Sequence, residues 1–223
     1  MSKINILLSL TEENYLKAIF SLNREVAESA TTNAIAEKLD TKASSVTDMM
    51  KRLSKKDLVN YQKYQAVSLT KKGKEVAISI IRKHRLWELF LVEKLHFKWD
   101  EVHDIAEQLE HIKSTQLTDR LDAFLGFPDQ DPHGDPIPNK EGQFPEDGRT
   151  TLSELNQKTS CKVVGVKDHS SSFLSYLESM DIELNTIIQI KTHHAFDSSM
   201  EILIEGKKEA HISKEVAQNL YVE

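Results

Sequence analysis

The sequence predicts a mainly α-helical chain that ends in a small β-rich domain, and three observations carry that reading. Apolar residues recur at helical spacing through most of the first 125 residues. All five prolines then fall within residues 127–150, a composition that marks an irregular connection. Beyond it the pattern changes to short alternating or β-branched runs.

The elements follow in order. Tyr15, Leu16, Ile19, Phe20 and Leu22 give a helix from Glu12 to about Leu22, with Thr11 as its expected cap. A short helix over Thr32–Leu39 turns Ile35, Ala36 and Leu39 inward. After the tight connection 40–43, a helix from near Ser44 to about Lys56 buries Val46, Met49, Met50 and Leu53. Residues 58–61 and 66–69 read as two strands around the turn 62–65. Helix, helix, turn, helix and hairpin make a winged helix-turn-helix. Thr70 caps a long helix from Lys71 to about Leu95. Two further helices are expected over Trp99/Asp100–Ile112 and Thr115–Leu125, the second closed by Gly126. In the last 70 or so residues, strands are expected at 162–166, 186–191, 200–204 and 210–212, with a helix over about 171–180. The expected domains are therefore 1–73, 74–126, the proline-rich linker 127–150, and 151–223.

Charge and composition narrow the function. Residues 1–75 hold 13 Lys and Arg against 9 Asp and Glu, a net of +4, and the remainder holds 16 against 26, a net of −10. A basic front on an acidic rear suits a nucleic-acid-binding head on a body with another task. No apolar run reaches the ~18–20 residues of a membrane span. No signal peptide is read in MSKINILLSL, so a cytoplasmic protein with no membrane partner is expected. The one cysteine, Cys161, excludes an intrachain disulfide and any cysteine-clustered metal site. Neither a glycine-rich phosphate loop nor a nucleophile elbow is present, so no catalytic residues are assigned.

The second helix of a helix-turn-helix enters the major groove, its first residues nearest the base edges. Here these are Ser44, Ser45, Thr47 and Asp48, with Lys42 just before them. Lys51, Arg52, Lys55 and Lys56 lie further along and would neutralise phosphates. The hairpin tip Lys63-Tyr64-Gln65 would reach the flanking backbone.

The region 102–111 carries the sharpest chemical signal. His103, Glu107, Glu110 and His111 stand at i, i+4, i+7 and i+8, within an arc of about 100° on a helix. Val102, Ile105, Ala106 and Leu109 point the other way. Upstream, His84 and Glu88 form another i, i+4 pair on the long helix. Imidazole and carboxylate without thiolate suit Mn(II), Fe(II) or Zn(II). The same residues also admit blander readings: a solvated helix face on a regulator that senses a non-metal ligand, or a metallohydrolase built on His103, Glu107 and His111. A structural adaptor whose β-rich domain binds a peptide is a third. Asp131 and His133 in the proline-rich stretch are ligands or turn residues, and His193-His194 is a strand-end surface pair.

Glu13-Asn14-Tyr15-Leu16-Lys17-Ala18-Ile19, Ser44-Ser45-Val46-Thr47, Arg82-Lys83-His84-Arg85-Leu86, His103 through Glu110-His111, Phe127-Pro128 and Pro132-His133-Gly134 follow one another in order. Together they resemble the diphtheria-toxin-repressor family of metal-dependent regulators. The resemblance implies a helical dimerisation domain behind the winged helix and a C-terminal SH3-like β-barrel. It implies a homodimer that binds Mn(II) or Fe(II), with Zn(II) or Co(II) able to substitute in vitro, and then represses metal-uptake genes at a palindromic operator in double-stranded DNA. It places a primary site at Asn14, Glu107, Glu110 and His111, with His84 close by. It places a secondary site at His84, Glu88 and His103, joined by Asp131, His133 and Asp168. It assigns DNA contacts to Lys42, Ser44, Ser45, Thr47 and Asp48. Two positions depart from the family pattern: Asn14 stands where Met or Asp is usual, and Glu107 stands where the iron-sensing branch has cysteine.

Overall fold

A computed structural model describes residues 7–24, 30–63, 65–146 and 148–223. The N-terminal residues 1–6 and Tyr64 at the hairpin tip, both used in the sequence reading, lie outside the described residues. The chain divides into two compact units. The first comprises residues 1–84, 109–114 and 138–143, and the second comprises 85–108, 115–137 and 144–223.

In the first unit, α1 (Leu10–Arg24) precedes α2 (Thr32–Lys38) and α3 (Ala43–Lys55). The cap of α1 is Ser9 rather than Thr11. The Ser9 amide donates to Glu12 Oε2 (2.9 Å) and the Glu12 amide donates to Ser9 Oγ (3.2 Å), a reciprocal capping box. Thr31 caps α2 by accepting from the Ala34 amide at 3.1 Å. Leu16, Ile19, Ile35, Val46, Met50 and Leu53 interlock as the buried centre of the three helices.

The wing is shorter than its sequence pattern: β1 (Val59–Asn60) and β2 (Ser68–Leu69) pair antiparallel with Val59 opposite Leu69. Helix α4 (Lys71–Leu95) then starts against the wing, capped by Thr70 Oγ1, which accepts from the Gly73 amide at 3.1 Å. A Cβ at Gly73 would lie 1.9 Å from the Leu58 carbonyl oxygen, so only glycine lets α4 begin this close to the wing.

In the second unit lie the end of α4 from Arg85, most of α5 (His103–Leu109) and α6 (Thr115–Phe124). Leu86, Leu89, Leu121 and Ile137 form a small apolar cluster there, flanked by Trp87, Phe90 and Leu125. The expected helix over 99–112 is reduced to the seven residues of α5. Glu110 and His111 lie in the turn beyond it.

The expected linker is a correction too. Residues 131–134 and 136–138 are buried, and Gln130 and Pro136 form an antiparallel bridge. A Cβ at Gly134 (φ +82°) would fall 2.0 Å from the Val164 carbonyl oxygen, and the Val166 amide donates to the His133 carbonyl at 2.9 Å. The segment packs on the sheet too closely for any side chain at that position.

The sheet comprises β3 (Thr150–Thr151), β4 (Ser160–Val166), β5 (Ile187–His193), β6 (Met200–Ile204), β7 (Lys208–Ile212) and β8 (Leu220–Val222). Its order is β3-β8-β4-β5-β6-β7, every neighbour antiparallel. α7 (Ser171–Ser179) and α8 (Lys214–Asn219) accompany it. Val163, Val166, Leu174, Leu177, Ile188, Ile190 and Ile202 fill its core. The sheet is open, with β3 and β7 at its edges, so the architecture is SH3-like without the expected barrel closure.

Candidate metal centres and nucleic-acid interface

In the first unit, α1 presents Glu13, Asn14 and Lys17 at i, i+1 and i+4, and α4 contributes His84. The turn after α5 contributes Glu110 and His111. Glu110 is 0% exposed. Its Oε2 lies 2.6 Å from His84 Nδ1 and accepts a hydrogen bond from Lys17 Nζ at 2.8 Å. Lys17 Nζ is also 3.4 Å from His84 Nδ1. His111 Nδ1 lies 2.6 Å from Glu13 Oε2, and His111 Nε2 lies 3.9 Å from Glu110 Oε1.

Two buried oxygens here, Asn14 Oδ1 and Glu110 Oε1, have no hydrogen-bond partner. A buried acceptor without a donor is unfavourable by about 1–3 kcal/mol, so the arrangement is suited to a cation. Burial pushes the Glu110 carboxyl up, but the His84 hydrogen bond and the Lys17 charge outweigh it and hold the group ionised, below the usual carboxylate range.

In the second unit, Glu88, Asp131 and His133 are all buried, and one ligand atom of each lies within 4.8 Å of the other two. His133 Nε2 lies 2.8 Å from the Trp99 carbonyl oxygen, which can only accept. Nε2 therefore carries a proton, and Nδ1 faces Glu88 Oε2 (3.9 Å) and Asp131 Oδ1 (4.0 Å). Nδ1 has no hydrogen-bond partner. Two carboxylates and an imidazole nitrogen converging here offer a donor set for a cation, and a carbonyl fixing the far ring nitrogen is how metal-binding histidines are held. Trp99 and His169 stack on the His133 ring, with centroids at 6.2 and 4.8 Å.

Burial and the neighbouring Glu88 and Asp135 charges push the Asp131 carboxyl up to about 7. Asp131 Oδ1 also accepts from the His133 and Asp135 amides, which fixes the turn. Arg85 donates to Asp135 Oδ2 at 2.6 Å and to the Pro136 carbonyl at 2.5 Å.

Four candidates on one expected helical face are thus divided. Glu110 and His111 are grouped with α1 and His84. His103 Nδ1 lies 3.5 Å from Glu88 Oε1, and its Nε2 lies 3.7 Å from Glu107 Oε1. The side chains of His103 and Glu107 are 46% and 41% exposed, as a partly solvated pair. Asp168 does not join Glu88, Asp131 and His133: its Oδ1 accepts from the Ser170 amide at 2.8 Å ahead of α7. Glu13, Lys17, Arg85 and Trp99 were not singled out from sequence. Glu13 and Lys17 share a face of α1 with Asn14, and that i, i+4 spacing was the available signal. Arg85 stands in the quoted Arg82–Leu86 motif without a role assigned to it, and nothing local marks the Trp99 carbonyl.

On α3, Lys42, Ser44, Ser45, Asp48, Lys51, Arg52 and Lys55 are exposed opposite the buried Val46, Met49, Met50 and Leu53. Thr47 is turned back, its hydroxyl donating to the Ala43 carbonyl at 3.0 Å. Lys51 pairs with Asp48 at 3.1 Å. Arg52 Nη2 and Lys56 Nζ lie 3.6 and 2.7 Å from Oε1 of the buried Glu12. Burial raises the Glu12 carboxyl, but Lys56, the Ser9 amide and Arg52 bring it below its ordinary value. Lys63 is exposed at the wing.

Three family models match consecutive stretches. Residues 7–67 match the iron dependent repressor N-terminal DNA binding domain, residues 70–139 its metal binding and dimerisation domain, and residues 150–223 the FeoA domain. The chain is 36% identical over 140 residues to the iron-dependent repressor IdeR of Mycobacterium tuberculosis, a stretch that is 62% of this chain and 60% of that protein. It is 28% identical over 184 residues to the diphtheria toxin repressor of Corynebacterium jeikeium, covering 81% of this chain and 76% of that one. Among solved structures, a manganese-dependent transcriptional repressor in complex with manganese superposes with a TM-score of 0.85 at 33% identity, covering 95% of this chain and 98% of that one. The repressor ScaR with bound zinc superposes with a TM-score of 0.77 at 31% identity, covering 95% and 98%. With all three models met in order and one solved relative matched along almost its whole length, the chain belongs to the diphtheria-toxin-repressor family.

Proposed function

We propose that this protein is a cytoplasmic, homodimeric repressor that binds palindromic operator DNA when loaded with Mn(II) or Fe(II), and that it controls metal-ion uptake. It is read as a regulator and not an enzyme. The residues of a hydrolytic alternative, His103 and His111, belong to different side-chain groups. Residues 1–73 would read DNA, 74–126 would dimerise and sense metal, and 151–223 would be the accessory SH3-like domain. Among the described residues, no helix is long and apolar enough to cross a membrane.

The observation that carries the reading is the set of buried acceptors without donors: Asn14 Oδ1 and Glu110 Oε1 in one unit, His133 Nδ1 in the other. Asn14, His84, Glu110 and His111 would hold one ion, with Glu13 orienting His111. Glu88, Asp131 and His133 would hold a second. A bound divalent cation supplies positive charge that lets several acceptors converge without repulsion. Oxygen and imidazole donors without thiolate favour Mn(II) and Fe(II), with Zn(II) and Co(II) substituting in vitro.

Asn14 sits on α1, and α1 packs on α2 of the helix-turn-helix. Drawing Asn14, Glu110 and His111 together therefore fixes how α1 stands against the turn that follows α5. Ligand binding shifts an equilibrium only by its differential affinity for the two states, so the DNA-competent form must hold these donors closer together. Lys42, Ser44 and Ser45 would approach the bases, and Lys51, Lys55 and Lys63 the phosphates.

Operator binding titrated with Mn(II) tests the proposal. Wild type should bind only with metal, and Glu110→Gln should need at least about tenfold more Mn(II) while keeping its circular dichroism spectrum. Equal operator affinity of the wild type with Mn(II) and with a chelator would sink it.

A further inference from the structure

Lys17 reaches from α1 into the Glu110 group. Its ammonium lies 2.8 Å from Glu110 Oε2 and 3.4 Å from His84 Nδ1, two of the donor atoms a divalent ion would need. Glu110 is fully buried, so without metal a carboxylate there requires a counter-charge. Lys17 supplies it from the same face of α1 that carries Glu13 and Asn14. Its side chain is 19% exposed, and its four-carbon stem gives the ammonium a path to water.

We propose that the Lys17 ammonium is a tethered counter-ion that neutralises the Glu110 group in the metal-free protein and must be displaced when a divalent cation binds. Lys17 thereby sets the metal concentration at which the repressor responds. This rests on the reading of Asn14, His84, Glu110 and His111 as a metal site. Glu110 Oε1, which has no partner, and Oε2, which holds the ammonium, belong to one carboxylate, so a divalent ion bound there meets the ammonium at short range, where repulsion in a desolvated site drives it out. Binding therefore exchanges one positive charge for two. The apo protein gains stability from the ion pair, and metal affinity is lowered by the free energy of breaking it. The ammonium moves into solvent.

The test is Mn(II) affinity of the full chain, by calorimetry and by the EPR signal of free Mn(II), for wild type, Lys17→Met, Lys17→Gln and Lys17→Arg, beside apo-protein melting curves. Lys17→Met keeps the stem and removes the charge. It should bind Mn(II) at least about tenfold more tightly while its apo form melts at a lower temperature. Lys17→Gln, which keeps a hydrogen-bond donor, should also tighten binding and serves if the Met variant does not fold. Lys17→Arg should stay near wild type. A merely structural lysine would lower apo stability and metal affinity together, so these opposed signs are the signature. Unchanged or weaker Mn(II) binding in both neutral variants overturns the proposal. Glu110→Gln, run alongside, must lose the affected binding phase. If that phase persists, the metal-site reading itself falls, and the role of Lys17 with it.

Discussion

Cys161 opens β4 among Val163, Ile188 and Ile190, 5% exposed, and its thiol sits 3.5 Å from the Ile188 carbonyl. Burial pushes its pKa up to about 11. The neutral form is favoured in the folded state, so stability is full below the ordinary thiol pKa and falls as the pH rises from there towards 11. At pH 8 the folded protein should resist iodoacetamide while the urea-unfolded chain is alkylated at one site, as read by intact mass. Rapid modification of the native protein would show that this strand is not packed as described. The burial of this thiol is legible in the sequence, where Cys161 stands at the start of an apolar run. The site residues were less legible. Glu110 and His111 could be named from spacing, but their partners on α1 could not, because Lys17 and Glu13 lie 93 and 98 positions away along the chain. Sequence shows which donors exist; only the fold decides which of them meet.

At the level of elements, the helical stretches read well because each carries its own period and cap. Two elements did not. The helix through 99–112 was extrapolated from a continuous amphipathic pattern, but α5 ends at Leu109. Beyond that point Glu110 and His111 gain charged partners on α1 and α4, and those contacts outweigh another half-turn of helix. The 127–150 stretch was read as a linker because prolines and glycines mark irregular backbone, but irregular is not the same as loose. Prolines there are compatible with burial because they have no amide to satisfy, and Gly134 permits contact with β4. The short strands β3 and β8 carried too few residues for a period to show.

The glycines give this scale its prediction. Gly134→Ala must overcome both a positive φ and a 2.0 Å clash with backbone, whereas Gly126→Ala, at φ +81° with nothing within 4 Å, meets only the backbone strain. Urea unfolding should show Gly126→Ala destabilised by about 1 kcal/mol and Gly134→Ala by clearly more, about 3 kcal/mol. Equal effects would mean that the buried segment yields freely.

For the molecule as a whole, the two proposed donor sets would make metal binding part of folding stability. Anything that binds the native state alone raises its stability by about 2.7 kcal/mol per site at a hundredfold excess over Kd. Wild type in Mn(II) should therefore melt well above its chelator-treated form. His133→Ala should forfeit part of that gain and Glu110→Gln another part, with the two losses near additive. A melting temperature indifferent to Mn(II) would contradict both candidate centres. The change of hydrophobic period beyond residue 150, by contrast, is visible in the sequence and coincides with the strands of the sheet.

Glu12 ties two of these scales together. Arg52 and Lys56, at the rear of the recognition helix, both rest on its buried carboxylate, and the next two residues along α1 are Glu13 and Asn14. Two of the head's cations are thus already engaged before any polyanion arrives. A phosphate that draws on Arg52 pulls at the foot of the helix bearing Glu13 and Asn14. Thermodynamic reciprocity then makes such traffic two-way: whatever the ion does for the grip on DNA, the operator does in equal measure for the grip on the ion.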